Sequence, residues 1–448
     1  MLYPPPAKCR VGTVSGDPVP LIRLLLACAV VASLATAPGL PLAAQQRPAP
    51  VPERGAELTI SLVTMGQGDA VYERFGHNAI WVHDTLRHTD RQYNYGLFDF
   101  RQENFILRFV QGRMLYAMGG LDGASSMADY AAHNRSIWVQ ELNLTPAQRA
   151  DLRDFLVWNA RPENRNYRYD YYLDNCSTRV RDALDRVLGG RIRAATDTVP
   201  AGTTFRFHTA RLTTNDPLMF TGLMLGLGEP VDRPISRYEE MFLPLAFREH
   251  IRSIRVPGPD GTEVPLVRSE ETVYLSTTPA SPVAPPFWLP AYLLIGAAMG
   301  GLFWYCGTRL SRSAGARAGF AVAGGLWSLL AGLSGVILAG LWLFTDHSAA
   351  YRNENLFQFS PLALPLVVLL PLAAYGRGRA RRIARTLAAL LVALGIAGIL
   401  FKLVPGTRQV NGMLIALALP AHLGLWLGLR DAPAPRSPAA SGSPTAGA

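Results

Sequence analysis

Five long apolar segments fill the C-terminal part of this 448-residue chain, at about residues 287–306, 319–344, 356–375, 384–401 and 410–428. Each is near the ~20 residues that a helix needs to cross the hydrocarbon core of a bilayer. The spacing therefore predicts an all-α membrane domain of five transmembrane helices. Arginines give the orientation. Arg309, Arg312 and Arg317 follow the first segment, Arg377, Arg379, Arg381, Arg382 and Arg385 follow the third, and Arg430 and Arg436 follow the fifth. Basic loops stay on the cytoplasmic side. The loops after the second and fourth segments, and everything before residue 287, are then expected outside. These arginines also explain the net charge of +10. That charge is a topology signal and not a nucleic-acid footprint, and no basic patch with interleaved aromatics occurs elsewhere.

The N-terminus agrees with this orientation. Lys8, Arg10 and Arg23 precede an apolar stretch from Leu24 to Leu34, and Leu42-Ala43-Ala44 offers a cleavage site before Gln45. Residues 1–44 read as a secretory signal peptide with a long basic region, or as one with a misassigned start. "LLAC" at Leu25 to Cys28 resembles a lipoprotein signal, but too little apolar sequence precedes it. A Pro-rich linker over 45–56 leads into a globular domain over 57–285. The membrane domain covers 286–430, and a Pro/Ser/Ala-rich tail over 431–448 is expected to be disordered.

The globular part mixes strands and helices. "ELTISLVT", "HNAIWVH", "QYNYGLFDF", "RMLYAMGG" and "SIWVQELNL" carry the aromatic and β-branched residues of strands. "ENFILRFVQG" and "SSMADYAAHN" read as helices between them. Thr145-Pro146-Ala147-Gln148 is a capping box with proline in the first turn, opening a helix to about Ala160. After the loop "RPENRNYRYDYYLDN", Val180, Ala183, Leu184, Val187 and Leu188 line one face of a helix that Gly189 can end. The fold class is α+β, an antiparallel sheet packed by helices. Residues 200–250 read as helical, with "PLMFTGLMLGLG" too short to span a bilayer. Residues 251–277 read as a hairpin around Pro259-Asp260-Gly261.

Of four cysteines, only Cys176 belongs to the globular part. That count allows no disulfide framework, and neither metal nor cofactor is expected. Asp174 and Asn175 can cap a helix whose first turn carries Cys176. Unpaired N–H groups there favour thiolate and can hold an oxyanion, and Arg179 and Arg181 add positive potential. A small buried cysteine that merely packs is the plainer reading; the polar flanks on both sides disfavour it. A nucleophilic thiol needs a base. His77 stands where a glycine turn enters a core strand, in "RFGHNAIWV", and is held as a base must be. His83 and His88 read as hairpin surface, His133 as a helix end, and His208 and His250 lie in less regular sequence. There is no His-Glu-x-x-His, Cys-x-x-Cys, Walker loop or Gly-x-Ser-x-Gly.

A histidine on a strand followed by Asn-Cys opening a helix resembles circularly permuted papain-like (NlpC-type) thiol enzymes, among them lecithin:retinol acyltransferase and its phospholipid acyltransferase relatives. "TMGQGDAVYERFGHNAIWV", "YNYGLFDF", "YDYYLDNCSTRVRD", "MFLPL" and, in the second outer loop, "TDHSAAYRNENLFQFSPL" are similar to the bacterial Lnb family. In that family a periplasmic Cys–His domain precedes five transmembrane helices and acts as a lipoprotein N-acyltransferase. The resemblance implies Cys176 as nucleophile, His77 as base, and a third residue on the neighbouring strand, Asn94 or Asp99, with Asn94 preferred. Asn175, Asp174 and Arg179 are then expected to support the oxyanion. Asn78, Tyr172, His347, Asn353 and Asn355 become candidates for substrate contact, the last three in an outer loop where they could instead cap helix ends.

The implied partners are a phospholipid acyl donor, a membrane-anchored lipoprotein acceptor and the bilayer itself, in a bacterial inner membrane with the C-terminus cytoplasmic. Two other readings stand beside this one. A thiol hydrolase, phospholipase or cell-wall amidase, would use the same dyad, and a non-catalytic membrane assembly factor would need none of it.

Overall fold

The computed structural model describes residues 53–258 and 260–432. The expected signal peptide, most of the linker and the tail past residue 432 lie outside the described residues. Six strands, β1 (Leu58–Met65), β2 (His77–Asp84), β3 (Thr89–Leu97), β4 (Leu115–Asp122), β5 (Ile137–Leu142) and β6 (Asn166–Arg168), join a late strand, Val267–Tyr274, in one sheet. The order is Val267–Tyr274, β5, β1, β2, β3, β4, β6, and every pairing is antiparallel.

Alternation sorts the side chains by face. Leu58, Ile60 and Leu62 of β1, Ile80 and Val82 of β2, and Tyr93 and Tyr95 of β3 form one buried cluster with Val180, Ala183 and Leu184 of the helix Cys176–Val187 and with Leu152 and Leu156 of the helix Pro146–Asn159. Val63, Met65 and Ala79 face the other way, against Met127 and Tyr130 of the helix Gly123–Ala132. The capping box at Thr145 forms as the sequence requires, with Thr145 accepting from Gln148 N–H and Gln148 returning the bond.

Three short strands were not legible in advance. β6 lies in the expected loop; its three residues pair with β4, Leu115 opposite Arg168. The expected hairpin is real but short, Arg255–Pro257 against Glu263–Pro265, and Val267–Tyr274 leaves it to pair with β5. The 200–250 region is mostly helical, with an added two-stranded ribbon of Pro200–Thr204 and Pro234–Ser236.

In the membrane part, four helices among the described residues are long and apolar enough to span: Leu289–Thr308, Ala314–Phe344, Gly378–Phe401 and Gly412–Arg430. The expected third helix is broken. Glu354–Ala363 and Leu366–Ala374 meet at a 54° bend. Pro361 before the break and Pro365 within it lack backbone donors. The broken pair nevertheless runs the length of the bundle. At one end Glu354 is bonded to Gln409 and Lys402, beside the globular domain. At the other, Ala374 shares a small recess with Leu310, Arg381 and Ala432. The first and last helices cross at glycine: a Cβ on Gly300 would lie 2.2 Å from the Pro420 carbonyl oxygen. Without a side chain there the backbones approach closely, as dispersion-driven packing in lipid favours.

The two parts are joined at the short apolar helix Pro217–Gly226. Its buried residues are Phe220 and Met224. Its C-terminal carbonyls, which no helical N–H can satisfy, accept from side-chain amides of the membrane part. Asn353 donates to the Leu225 and Gly226 oxygens at 2.9 and 3.0 Å, and Asn355 to Met224 and Leu225 at 3.2 and 2.9 Å.

Candidate active site

His77 opens β2, and Gly76 before it adopts φ +82°, the turn that aims the chain into the strand. Its Nε2 lies 3.0 Å from Asn94 Oδ1. Asn94 is paired with Ala79 in the β2–β3 ladder, so the two side chains are diagonal neighbours on one face. The Asn94 amide nitrogen donates to the Gln92 carbonyl at 2.9 Å, which fixes its oxygen toward the ring. Nε2 must then carry the proton, and Nδ1 holds the free lone pair. The Tyr130 ring stacks on the imidazole at 6.2 Å between centroids. Asp99, the other candidate for this place, is instead bonded to Arg101 at an exposed turn.

Cys176 is the first residue of its helix, and Asn175 is the cap. The Asn175 oxygen accepts from Ser177 and Thr178 N–H at 2.9 and 3.0 Å, and its amide donates to Tyr171 and Phe242 carbonyls, both at 3.0 Å. The next residue, Ser177, donates to Asn78 Oδ1 at 2.8 Å, and Asn78 donates in turn to Thr64 Oγ1 at 2.8 Å. Asn78 is fully buried and ties the helix to the first two strands. β2–β3 pairing begins only at Ala79 and Asn94. The Asn78 backbone amide, beyond that pairing, is directed at the Cys176 sulfur, as are the amides of Ser177 and Cys176 itself. Gly96, at φ +89°, gives way on the other side: a Cβ there would be 3.4 Å from that of Cys176. The sulfur thus sits at the open end of the sheet between β2 and β3. Among the described residues no hydrogen bond joins it to His77.

Burial dominates both titrations. It pulls the His77 imidazole down to about 4, with the Asn94 bond opposing and Arg135 assisting. It pushes the Cys176 thiol up to about 11, against the three amides and Arg135. The expectation of a thiolate is therefore corrected: desolvation outweighs the helix N-terminus, and both groups are held toward their neutral forms. The expected positive potential is corrected as well. Arg179 is bonded to Asp174, Nη2 to Oδ2 at 2.6 Å, and lies over the Tyr167 ring. Arg181 is buried on the Tyr238 carbonyl. The charge that reaches both Cys176 and His77 is that of Arg135, a buried residue before β5 that donates to the Gly66 carbonyl and Glu73. Nothing in the local sequence marks Arg135, because its proximity arises from strand order. Tyr167 was also missed; its hydroxyl is buried without a hydrogen-bond partner near Gly96.

The remaining candidates separate by place. Tyr172 lies in a core cluster with Phe205 and Phe242, its hydroxyl on Thr209 Oγ1 at 2.8 Å, so it presents no substrate face. Asn78 and Asn175 have their side-chain groups filled as described. Asn355 is fully buried, its amide on Met224 and Leu225 and its oxygen accepting from Asn411 at 3.0 Å. Asn353 caps the following turn and holds the Pro217–Gly226 helix, so both asparagines work as caps and ties. His347 alone of these stays half-buried near the site loop, stacked on Tyr171 and bonded through Nε2 to the Phe109 carbonyl at 2.9 Å. Of the other histidines, His208 and His250 both bind Glu240, at 2.8 and 2.7 Å, and His133 contacts the Asp129 carbonyl at its helix end.

A family model described as the Lnb N-terminal periplasmic domain matches residues 54–213, and one described as the Lnb transmembrane domain matches residues 313–428. No curated protein and no solved structure is matched by this chain. The two models are successive domains of one family and fall in that order here. The chain belongs to the Lnb family, as a membrane protein with an α+β periplasmic domain ahead of a helical membrane domain.

Proposed function

We propose that this Lnb-family protein is a thiol acyltransferase that moves an acyl chain from a phospholipid to the N-terminal amine of a diacylglyceryl lipoprotein. The observation that carries the reading is the His77–Asn94 pair beside a helix-initiating Cys176 whose sulfur receives the Asn78 amide. The chain order, His77 on a strand and then Cys176 opening a helix, resembles that of permuted papain-like thiol enzymes. In this reading Cys176 Sγ attacks the ester carbonyl as its proton passes to His77 Nδ1. The amides of Asn78 and Cys176 hold the oxyanion; the Ser177 amide is shared between the sulfur and Asn175, and that of Thr178 is taken by Asn175. Collapse expels the lysophospholipid alkoxide, which takes the proton from His77 and leaves a Cys176 thioester. The acceptor amine then attacks, His77 takes its proton and returns it to the departing thiolate, and an amide remains.

Lipid is favoured as substrate by the surface beside the site. Phe100, Ile106, Leu107, Phe109 and Val110 are exposed, Ile106 by 77%. The turn after them is held to the end of the second span: Asp346 N–H donates to the Gln111 carbonyl at 2.8 Å, and Arg113 and Arg168 both bind Asp346 at 2.8 Å. An apolar patch anchored at the end of a span meets the outer leaflet. The proposed setting is an inner membrane, with Cys176 periplasmic and the chain end cytoplasmic.

The test is reconstitution of the full chain with labelled phospholipid and a diacylated lipoprotein. Wild type should form a Cys176 thioester and N-acylate the acceptor; Cys176→Ala should do neither. Labelled fatty acid without acylated acceptor would make it a hydrolase. N-acylated lipoprotein from Cys176→Ala would overturn the thiol mechanism.

A further inference from the structure

The bend in the third span leaves space that the neighbouring helices do not fill. A cavity of about 550 Å³ lies between the second, third and fourth spans and the globular domain. That is the size of an ordinary small-ligand site. Its walls are graded. Trp342, Leu356, Phe357, Leu394 and Phe401 make the apolar part, while Glu229, Arg352 and Glu354 stand at the end nearest the globular domain. Leu394 is seven residues, or about 10 Å of helix, below Phe401. The apolar part therefore reaches roughly two turns into the bundle.

The polar end holds charge of both signs. Arg352 binds Glu229 at 2.6 Å while its side chain stays 65% exposed. It adopts φ 49°, a left-handed conformation uncommon for a residue with a side chain. Glu354 is 6% exposed; one oxygen binds Lys402, and the other, Oε1, is buried with no hydrogen-bond partner. Glu354 lines the cavity, and a buried carboxylate oxygen without a partner calls for a donor.

We infer that this cavity binds a glycerophospholipid with a primary-amine head group. One acyl chain lies along Leu394 and Phe401, the phosphate meets Arg352, and the ammonium donates to Glu354 Oε1. The orientation matches a lipid of the outer leaflet, head toward the globular domain and chain toward the bilayer centre. The inference is independent of the thiol chemistry proposed for Cys176.

The test is native mass spectrometry of the full chain after exposure to mixed micelles of phosphatidylethanolamine and phosphatidylglycerol, with parallel photo-crosslinking by a phospholipid carrying a chain-end diazirine. Wild type and Cys176→Ala should both retain one phosphatidylethanolamine in several-fold preference and crosslink at the Leu394 and Phe357 peptides. Leu394→Trp should fill the slot and lose that crosslink. Glu354→Gln should lose the head-group preference. Arg352→Gly, which suits the left-handed backbone and removes an exposed side chain, should weaken both lipids. Retention and preference unchanged in Arg352→Gly and Glu354→Gln, or crosslinks spread evenly around the bundle, would overturn the site. Loss of N-acylation in Cys176→Ala with lipid still bound would separate this inference from the catalytic one.

Discussion

His77 Nε2 and Asn94 Oδ1 stand 3.0 Å apart across the β2–β3 pair, and the Asn94 amide nitrogen is anchored on Gln92. One carbonyl oxygen thereby chooses the imidazole tautomer and leaves Nδ1 as the basic atom. Asn94→Ala should lower turnover by about 10- to 100-fold, a fraction of what a whole general base contributes. Nitrogen NMR of the ring should show loss of the Nε2–H preference, a change that a purely structural defect would not produce. An unaltered tautomer with full activity would remove Asn94 from the site.

The neutral pair sets the pH behaviour. The folded His77 titrates at about 4 and the unfolded chain near 6.5. Its contribution to stability is therefore present above pH 6.5 and is lost as the pH falls toward 4. Cys176 works in the opposite direction: present below its unfolded value of 9, and lost as the pH rises toward 11. Thermal unfolding of wild type against His77→Gln and Cys176→Ala should show these two flanks separately. Alkylation of lipid-free protein by iodoacetamide should be slow at pH 7 and climb above pH 9; a thiol titrating below 7 would contradict the burial argument.

Gly96 gives the sulfur its room. Gly96→Ala places a methyl 3.4 Å from the Cys176 Cβ on a backbone at φ +89°. A strain of about 1–3 kcal/mol is expected, with turnover falling more than the melting temperature indicates, because the displaced residue carries the proposed nucleophile. Equal losses in Gly96→Ala and in a glycine far from the site would argue for a global effect only.

The apolar patch should govern access to lipid and not the thiol itself. Ile106→Glu with Phe109→Glu should cut transfer from bilayer phospholipid while leaving alkylation of Cys176 by a water-soluble electrophile unchanged. Full activity on bilayer lipid in the double variant would exclude the patch from substrate entry.

Asn355→Ala should remove one amide donor from the Met224 and Leu225 carbonyls, which keep Arg206 and Asn353, and should leave the buried Asn411 amide without its acceptor. A cost of about 1–3 kcal/mol follows, read as a lower unfolding temperature with thiol reactivity preserved. A variant as stable as wild type would show that other contacts hold the two parts together.

Much of this was written in local sequence. Chain-length apolar runs and flanking arginines give the spans, because the bilayer imposes one length on every crossing. Asn175-Cys176 announces a capped helix, since capping is a contact among neighbours in sequence, and "RFGHNAIWV" places His77 at a strand start for the same reason. What tertiary structure decided depends on residues far apart in the chain. Strand order brings Arg135 to Cys176 and His77, while Arg179 and Arg181, close in sequence, are drawn off by Asp174 and Tyr238. Burial pushes the thiol up, against the expected thiolate, because desolvation is a property of everything packed around the sulfur. Docking of the Pro217–Gly226 helix took up Asn353 and Asn355, whose role could not be read without the carbonyls they satisfy. A capped turn is fixed by neighbours, but a charge environment is fixed by the fold.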